Sequence, residues 1–269
     1  MTAIIGYVAA VFIGITLGLI GGGGSILTVP VLVYLLGASP TMATGYSLFI
    51  VGVTSAIGSV AFFKRKLVSV RTAIVFGIPS IIAVYATRAF IVPALPDVIF
   101  SLGSFQFTKD IFLMVLFAVL MILASYSMIK KKKAPSIDDA EETEQSFNYP
   151  IILLEGGVVG ILTGLVGAGG GFLIIPALVI LSKLSMKMAV GTSLVIIAAK
   201  SMLGFLGEPG LGSPTFEWTM VLLVTAMAII GIFIGSFLST KIDGDKLKPA
   251  FGWFVLVMGI YILAVELFF

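Results

Sequence analysis

The sequence predicts an all-α polytopic membrane protein made of two inverted repeats, and three observations support this fold class. Hydrophobic residues make up 59% of the 269 residues and charged residues only 11%, with a mean hydropathy of +1.20, whereas a soluble domain carries about 25% charged residues. Long apolar runs recur along the chain, and part of the first half is repeated in the second. The composition alone excludes a soluble enzyme, a nucleic-acid-binding protein and a disordered chain.

Six apolar runs are each long enough to cross the roughly 30 Å hydrocarbon core as a helix. They lie at about 41–63, 68–91, 108–129, 186–207, 215–239 and 249–268. Two further apolar regions, about 3–36 and 151–182, are interrupted by glycine-rich segments at 21–24 and 167–171. A single crossing does not need about 34 residues. Each region is therefore expected to break at its glycines into the two arms of a helical hairpin.

The longest polar stretch, about 130–150, contains four consecutive lysines and then five acidic residues. No apolar period passes through it, so it is predicted to be a flexible cytoplasmic linker. It separates a first membrane repeat, 1–129, from a second membrane repeat, 151–269. The N-terminus lacks the basic segment of a secretory signal, so no cleavage is expected there.

A shift of 146 residues aligns 14–59 with 160–205 without a gap, and 21 of the 46 pairs are identical. Apolar composition alone does not align glycine, proline and serine at this rate, so the chain contains two copies of one unit. The matched residues include the pairs Gly21/Gly167, Gly23/Gly169, Pro30/Pro176, Gly45/Gly191, Ser47/Ser193 and Ser55/Ser201.

The basic residues predict that the two copies are inverted, because Lys and Arg favour cytoplasmic loops. Basic clusters place the loops near 64–71, 130–133, 183–187 and 241–248 in the cytoplasm, whereas the loops 92–107 and 208–214 contain neither Lys nor Arg. Equivalent loops of the two copies then face opposite sides. The predicted sides of all the loops are consistent only with six full spans and two hairpins, and both termini are then expected outside the cell.

The glycine tips are the first candidate site. Backbone N–H groups of a turn inside the membrane need partners, and the start of the second arm adds the positive end of a helix dipole, which attracts anions. Inverted repeats bring two such tips together near the midplane, where secondary transporters bind their substrates. The predicted anion-binding residues are Gly22, Gly23, Gly24, Ser25, Thr28, Gly169, Gly170 and Gly171.

Two details of the tips can be tested against the structure. Ser25 is expected to cap the first arm and to donate a hydroxyl to the site. The alternative role of the glycines is close helix packing, because Gly14, Gly18 and Gly22 are spaced by four, as are Gly160 and Gly164. Both roles are compatible, since these glycines lie mostly before the tip.

Three charged residues within apolar runs extend the candidate site. Lys200 is expected to anchor the anion, its repeat partner being Thr54, with snorkelling or a structural ion pair as alternatives. Arg88 acts either as an interfacial anchor or in an anion-attracting outer vestibule. Glu155 either carries a coupling proton or is simply interfacial. Ser201 and the hydroxyls of Ser47, Ser55, Thr192 and Ser193 are further candidates to line a cavity, or they bond to helix backbone.

Several classes of chemistry are excluded by residues that the sequence lacks. It contains no Cys and no His, so thiolate and imidazole metal sites and a sulfur relay are unavailable. It has neither paired carboxylates nor a catalytic triad, and no Gly-Lys-Ser/Thr nucleotide loop. We therefore expect no enzyme activity, no metal and no cofactor.

The glycine motifs resemble those of the TauE/SafE family of sulfite and organosulfur-anion exporters. The resemblance rests on Gly18-Leu19-Ile20-Gly21-Gly22-Gly23-Gly24-Ser25 with Pro30, and on Gly164-Leu165-Val166-Gly167-Ala168-Gly169-Gly170-Gly171-Phe172 with Pro176. It covers essentially the whole chain. It implies an exporter of small sulfur-containing anions, such as sulfite or organosulfonates, in the cytoplasmic membrane.

The function expected on these grounds is secondary transport by alternating access. The alternatives are a passive anion channel, a carrier of a non-sulfur carboxylate, and a non-transporting scaffold or membrane enzyme. The expected partners are a small anion and the lipid bilayer, with no nucleic acid. Small-residue faces and the habit of the resembled family suggest a homodimer.

Overall fold

The computed structural model describes residues 2–102, 105–129, 149–180, 184–208, 211–214, 216–239, 241 and 244–268. Most of these residues are helical, as the sequence predicts. The predicted linker, 130–150, lies outside the described residues except for its last two positions, which begin a helix.

The first repeat starts with helix α1 (Thr2–Ile20) and a 3₁₀ segment (Gly21–Leu27). The chain then continues as the short helix α2 (Thr28–Pro30) and a π-helical turn (Val31–Leu35). The rest of this repeat consists of α3 (Pro40–Lys64), α4 (Val70–Ala86), a π-helical turn (Thr87–Ile91), α5 (Val92–Ala94), strands β1 (Val98–Leu102) and β2 (Phe105–Thr108), and α6 (Lys109–Ile129).

The second repeat is more regular. It consists of α7 (Tyr149–Val166), α8 (Gly171–Ile180), α9 (Met186–Leu206), α10 (Trp218–Leu238) and α11 (Gly244–Phe268). Within the described ranges, five helices are long and apolar enough to cross a membrane, namely Pro40–Lys64, Val70–Ala94, Lys109–Tyr126, Met186–Leu206 and Trp218–Leu238. The sixth predicted span, 249–268, falls within α11, whose apolar part is Gly252–Phe268.

Apolar side chains cover the outside of the bundle, as a lipid-facing surface requires. Phe12, Ile82 and Phe233 are 59%, 65% and 63% exposed. Polar side chains occupy the inside, where Ser47, Thr54 and many other hydroxyl residues are fully buried. This reversal of a soluble protein's pattern is that of a multi-pass membrane protein.

The first glycine region forms a hairpin. After the tip, Gly24 packs against Ile13 and Leu17 of α1, and near the end of the return arm Leu36 lies against Gly6. The chain therefore runs back along α1 to the side from which it entered. In the second repeat, Gly170 lies directly against Thr163 of α7, so the return arm α8 also begins beside the helix that precedes it.

Repeat-equivalent helices pack antiparallel to each other. Along α3 and α9, Gly45 contacts Glu208 and Gly52 contacts Met202, while Gly191 contacts Phe62. Helices α6 and α11 run in the same opposed way, with Gly252 beside Met128 and Gly259 beside Met121. This is the arrangement that an inverted repeat requires. The orientation of the bundle in the membrane stays a prediction.

Glycines spaced by four bring the long helices into close contact, as the packing interpretation expects. On α1, Gly14 and Gly18 meet the backbone of α10, and on α7, Gly160 meets the backbone of α4. The two contacts are repeat-equivalent. These glycine faces are covered within one protomer, and the homodimer stays a prediction.

The loop 92–107 differs from the all-α expectation. Val98–Leu102 and Phe105–Thr108 pair as an antiparallel hairpin with an irregularity in register after Val98. Aromatic and β-branched residues favour strands, and the rings of Phe100 and Phe107 stack at a centroid distance of 4.8 Å. This signal is present in the sequence, but the loop stands out there mainly for its lack of Lys and Arg.

Candidate functional site: the junction of the glycine tips

The two glycine tips touch in the middle of the bundle. A Cβ on Gly22 would overlap the backbone of Gly171, and a Cβ on Gly171 would overlap that of Gly22. Beside this contact lie Val51 and Ile197, which are repeat-equivalent and lie near the midpoints of α3 and α9. The site therefore has the central position between the repeats that the sequence predicts.

Backbone conformation at the tips requires glycine. Gly21 and its repeat partner Gly167 both have φ of +70°, a value that side-chain-bearing residues rarely adopt. The N–H of Gly167 donates to the carbonyl of Thr163 at 2.8 Å, which ends α7 in a left-handed cap. The chain then turns out of the helix and into the junction.

The second tip presents unused N–H groups. Gly169 and Gly170 also have positive φ, +61° and +67°, and the N–H groups of Leu173 and Ile174 both donate to the carbonyl of Gly170 at 3.0 Å. Within the described residues, the N–H groups of Gly169 and Gly170 form no hydrogen bond to other backbone groups. They lie just before the N-terminus of α8 and form a site suited to an anion.

Lys200 points into this turn. Its side chain is fully buried, and Nζ donates to Oγ1 of Thr163 at 3.0 Å. A Cβ on Gly170 would lie only 2.7 Å from Nζ, so the ammonium group lies against the glycine turn. The side chain therefore does not snorkel to a membrane surface, and in the described part of the chain it forms no ion pair.

One buried hydroxyl without a partner lies at the junction, and others lie on α2 and α3. Ser201 Oγ lies beside Gly169, 3.5 Å from where its Cβ would be. The buried hydroxyls of Thr28, Ser47, Thr54, Ser55 and Ser201 have no hydrogen-bond partner in the described structure. Buried polar groups normally have a protein or water partner, so a row of unpartnered hydroxyls is typical of a site that holds water or a ligand.

Other predicted polar residues are engaged in local bonds. The hydroxyl of Ser193 donates to the carbonyl of Val190 at 2.8 Å, and Oγ1 of Thr192 accepts from the N–H of Ser69 at 2.9 Å. These two side chains have structural roles in this conformation.

Ser25 does not cap a helix in this structure, and its place in an anion site stays a prediction. Ser25 lies inside the 3₁₀ segment, and its hydroxyl donates to the carbonyl of Gly22 at 2.6 Å. A hydroxyl has one hydrogen to donate, so in this conformation none is left for an anion. The reason is local, because a 3₁₀ turn places the carbonyl three residues earlier within reach of the side chain. Gly23 and Gly24 lie in the same segment.

Arg88 is not an interfacial anchor, because its side chain is completely buried. Its Nη1 lies 3.2 Å from Oε2 of Glu208, a residue that the sequence analysis missed. The signal was present, since Glu208 is a lone acid that directly follows the run 186–207 at the depth predicted for Arg88. Glu208 directly follows Gly207, and a Cβ on Gly207 would contact the side chain of Arg88.

Arg88 and Glu155 both lie apart from the junction. Glu208 lies eight residues after Lys200, beyond the end of α9. Glu155 and Thr163 are eight residues apart on α7, and eight helical residues span about 12 Å. Glu155 is partly exposed on α7, and its buried Oε2 has no hydrogen-bond partner within the described structure. The structure thus separates a central site at Lys200 from two peripheral charged positions.

Known proteins that are similar in sequence are described as exporters and membrane transporters. The family model described as sulfite exporter TauE/SafE matches residues 7–262. A probable membrane transporter protein of Bacillus subtilis (strain 168) is 30% identical over 265 residues, covering 88% of this chain and 90% of the relative. Another from Xylella fastidiosa (strain 9a5c) is 28% identical over 258 residues, covering 93% and 91%.

A probable membrane transporter protein of Methanocaldococcus jannaschii is 27% identical over 263 residues, covering 93% of this chain and 91% of the relative. No solved structure matches the chain. The family match spans both glycine tips and every long helix of the bundle. The chain belongs to the TauE/SafE sulfite exporter family of membrane proteins.

Proposed function

We propose that this protein is a secondary transporter that exports small sulfur-containing anions, such as sulfite or organosulfonates. The observation that carries the proposal is the buried ammonium group of Lys200 at the junction of two glycine tips. Its one hydrogen-bond partner in the described residues, Thr163, is neutral. The family supports transport of a sulfur anion, and the site supports an anion in general.

In this proposal, the anion lies between Lys200 and the second glycine turn. The ammonium supplies the compensating charge, and the N–H groups of Gly169 and Gly170 supply directed hydrogen bonds. The hydroxyls of Ser201, Thr54 and Thr28 complete the coordination, with Gly22 and Gly171 holding the tips together. Such a set suits a compact oxyanion, whose several oxygens accept hydrogen bonds from different directions.

The transport cycle follows from the arrangement of the repeats. Since α3 and α9 pack antiparallel across the junction, rocking of one repeat against the other would open the site first to one side and then to the other. Arg88 and Glu208 connect the repeats on the side predicted to be external. Their pairing would close that side while the site faces the cytoplasm.

Counterflow in proteoliposomes tests this proposal against a passive channel. Vesicles loaded with unlabelled sulfite are diluted into ³⁵S-sulfite, with sulfoacetate, thiosulfate, sulfate, chloride and acetate as competitors. A carrier accumulates label above equilibrium and is stimulated by sulfite on the opposite side. A channel gives simple equilibration, and preferential competition by acetate would move the proposal to a carboxylate carrier.

A further inference from the structure

Lys200 has no counter-charge among the described residues that surround it. The elements packed against this part of α9 are α3, α4, α7, α8 and the 3₁₀ segment. The segments Gly21–Leu27 and Gly171–Ile180 contain no ionisable residue. The charged or titratable residues on the other three elements, together with the π-helical turn that follows α4, are Tyr46, Lys64, Arg71, Tyr85, Arg88, Tyr149 and Glu155.

These ionisable groups lie toward the two ends of the bundle. Lys64 and Arg71 belong to the end where α9 begins, because Phe62 contacts Gly191 and Ser69 bonds to Thr192. Tyr85 and Arg88 lie beside Gly207 at the opposite end, and Tyr46 accepts a hydrogen bond from the N–H of Glu217 there. Glu155 lies two turns along α7 from Thr163, and Tyr149 lies further still.

An ammonium group in this environment is costly unless an anion accompanies it. Burial of an isolated charge is so unfavourable that such a group usually sheds its charge by losing its proton. A hydroxyl partner does not replace an opposite charge. Anion binding and protonation of Lys200 should therefore favour each other, since each supplies what the other needs.

From this geometry we propose that Lys200 is the proton carrier of the transport cycle. In the loaded site the side chain is an ammonium paired with the anion. On release, the anion leaves, one proton leaves with it, and the neutral amine remains for the return step. A monovalent anion then crosses with one proton and no net charge, whereas a dianion carries one net negative charge. This inference rests on the proposed function.

The alternative proton carrier, Glu155, fits less well. It is partly exposed on α7 and lies about 12 Å from Thr163. A carboxylate at that distance does not exchange a proton with an anion held at the glycine turn. Lys200 needs no relay, because its ammonium group is itself part of the site.

Calorimetric titration of sulfite into the purified protein tests the inference. Performed in two buffers of different ionisation enthalpy, it reports the number of protons taken up per bound anion. The upper end of the pH series should lie above the second ionisation of sulfurous acid. We expect about one proton per anion there, falling toward zero at acidic pH, with affinity falling about tenfold per pH unit where uptake is complete.

Three variants test whether Lys200 is the group that takes up the proton. Lys200→Arg keeps a permanent cation and should bind sulfite without proton uptake, whereas Glu155→Gln should take up protons like the wild type. If the arginine variant does not elute as a folded protein, Lys200→Met replaces it, with weaker binding and no uptake expected.

The outcomes separate the two proposals. Binding without proton uptake at every pH would overturn the inference and leave the anion site in place, as would unchanged uptake in Lys200→Arg or its loss in Glu155→Gln. Failure of sulfite and every other tested anion to bind would instead remove the proposed function, and the inference with it.

Discussion

At the scale of single residues, the contact between Gly22 and Gly171 determines the geometry of the site. Each glycine presses on the backbone of the other, and backbone cannot move aside as a flexible side chain can. The two tips can therefore approach this closely only because neither residue carries a Cβ.

Substituting either residue should therefore be severe. We expect Gly22→Ala and Gly171→Ala each to lower the free energy of unfolding by about 1–3 kcal/mol or more, because the added methyl overlaps backbone. Gly77→Ala and Gly157→Ala are matched controls on helices, since a Cβ at either position meets nothing within 4 Å. Thermal unfolding in detergent, alongside sulfite counterflow, measures the difference. Equal midpoints for all four variants would mean that the tips do not touch.

The residue scale also shows where sequence reasoning stops. Lys200, Thr54 and the glycines could be found because an intramembrane charge and a broken apolar run stand out in sequence. The hydroxyl bond of Ser25 to Gly22 could not, since it depends on the 3₁₀ form of the segment rather than on residue type. The partner of Arg88 was missed because Glu208 is separated from it by 120 residues and lies in a loop.

At the scale of elements, the pairing of α1 with α10 and of α7 with α4 holds the repeats together. Each repeat contributes its first helix to the fourth helix of the other, through glycine faces that let the backbones approach. The positions of these helices were predictable from apolar length. The helices that they pack against were not predictable, because a glycine face indicates close packing without identifying the neighbouring helix.

Substitutions on α1 should distinguish backbone contact from side-chain contact. A Cβ on Gly14 meets the carbonyl of Ala228, whereas a Cβ on Gly6 meets the end of the Leu36 side chain, which can rotate away. We expect Gly14→Ala to destabilise the protein by about 1–3 kcal/mol and Gly6→Ala by clearly less. Unfolding by denaturant in mixed micelles measures both. The reverse order would contradict the packing of α1 on α10.

At the scale of the whole molecule, Arg88 and Glu208 link the two repeats through a buried ion pair. Removing one partner of such a pair leaves an uncompensated charge and typically costs about 3–5 kcal/mol. Removing both charges costs far less. The pair thus offers a way to measure how strongly the repeats are coupled on that side.

A double-mutant cycle makes this coupling measurable. We expect Arg88→Met and Glu208→Gln each to reduce stability strongly and the double variant to recover most of the loss. Thermal midpoints of the four proteins give the interaction energy. Additive losses would show that the two side chains do not interact in the folded protein.

The repeat itself was the most informative whole-molecule signal in the sequence. The 146-residue shift predicted which helices are equivalent, and the antiparallel contact of α3 with α9 has the form that inversion requires. Among the described residues, the β-hairpin and the π-helical turns occur in the first repeat only, so the repeat signal did not predict them. The site is also asymmetric, because equivalent positions hold Lys200 in one repeat and Thr54 in the other.

The central claim is that an anion binds against Lys200 at the junction of the tips. Equilibrium binding of ³⁵S-sulfite to the purified protein tests it most directly, with Lys200→Met beside the wild type. Lys241→Met is the matched control, because it removes the same charge from an exposed position. We predict at least a tenfold loss of affinity for Lys200→Met with an unchanged elution profile, and wild-type affinity for Lys241→Met. Wild-type affinity in folded Lys200→Met would contradict the account.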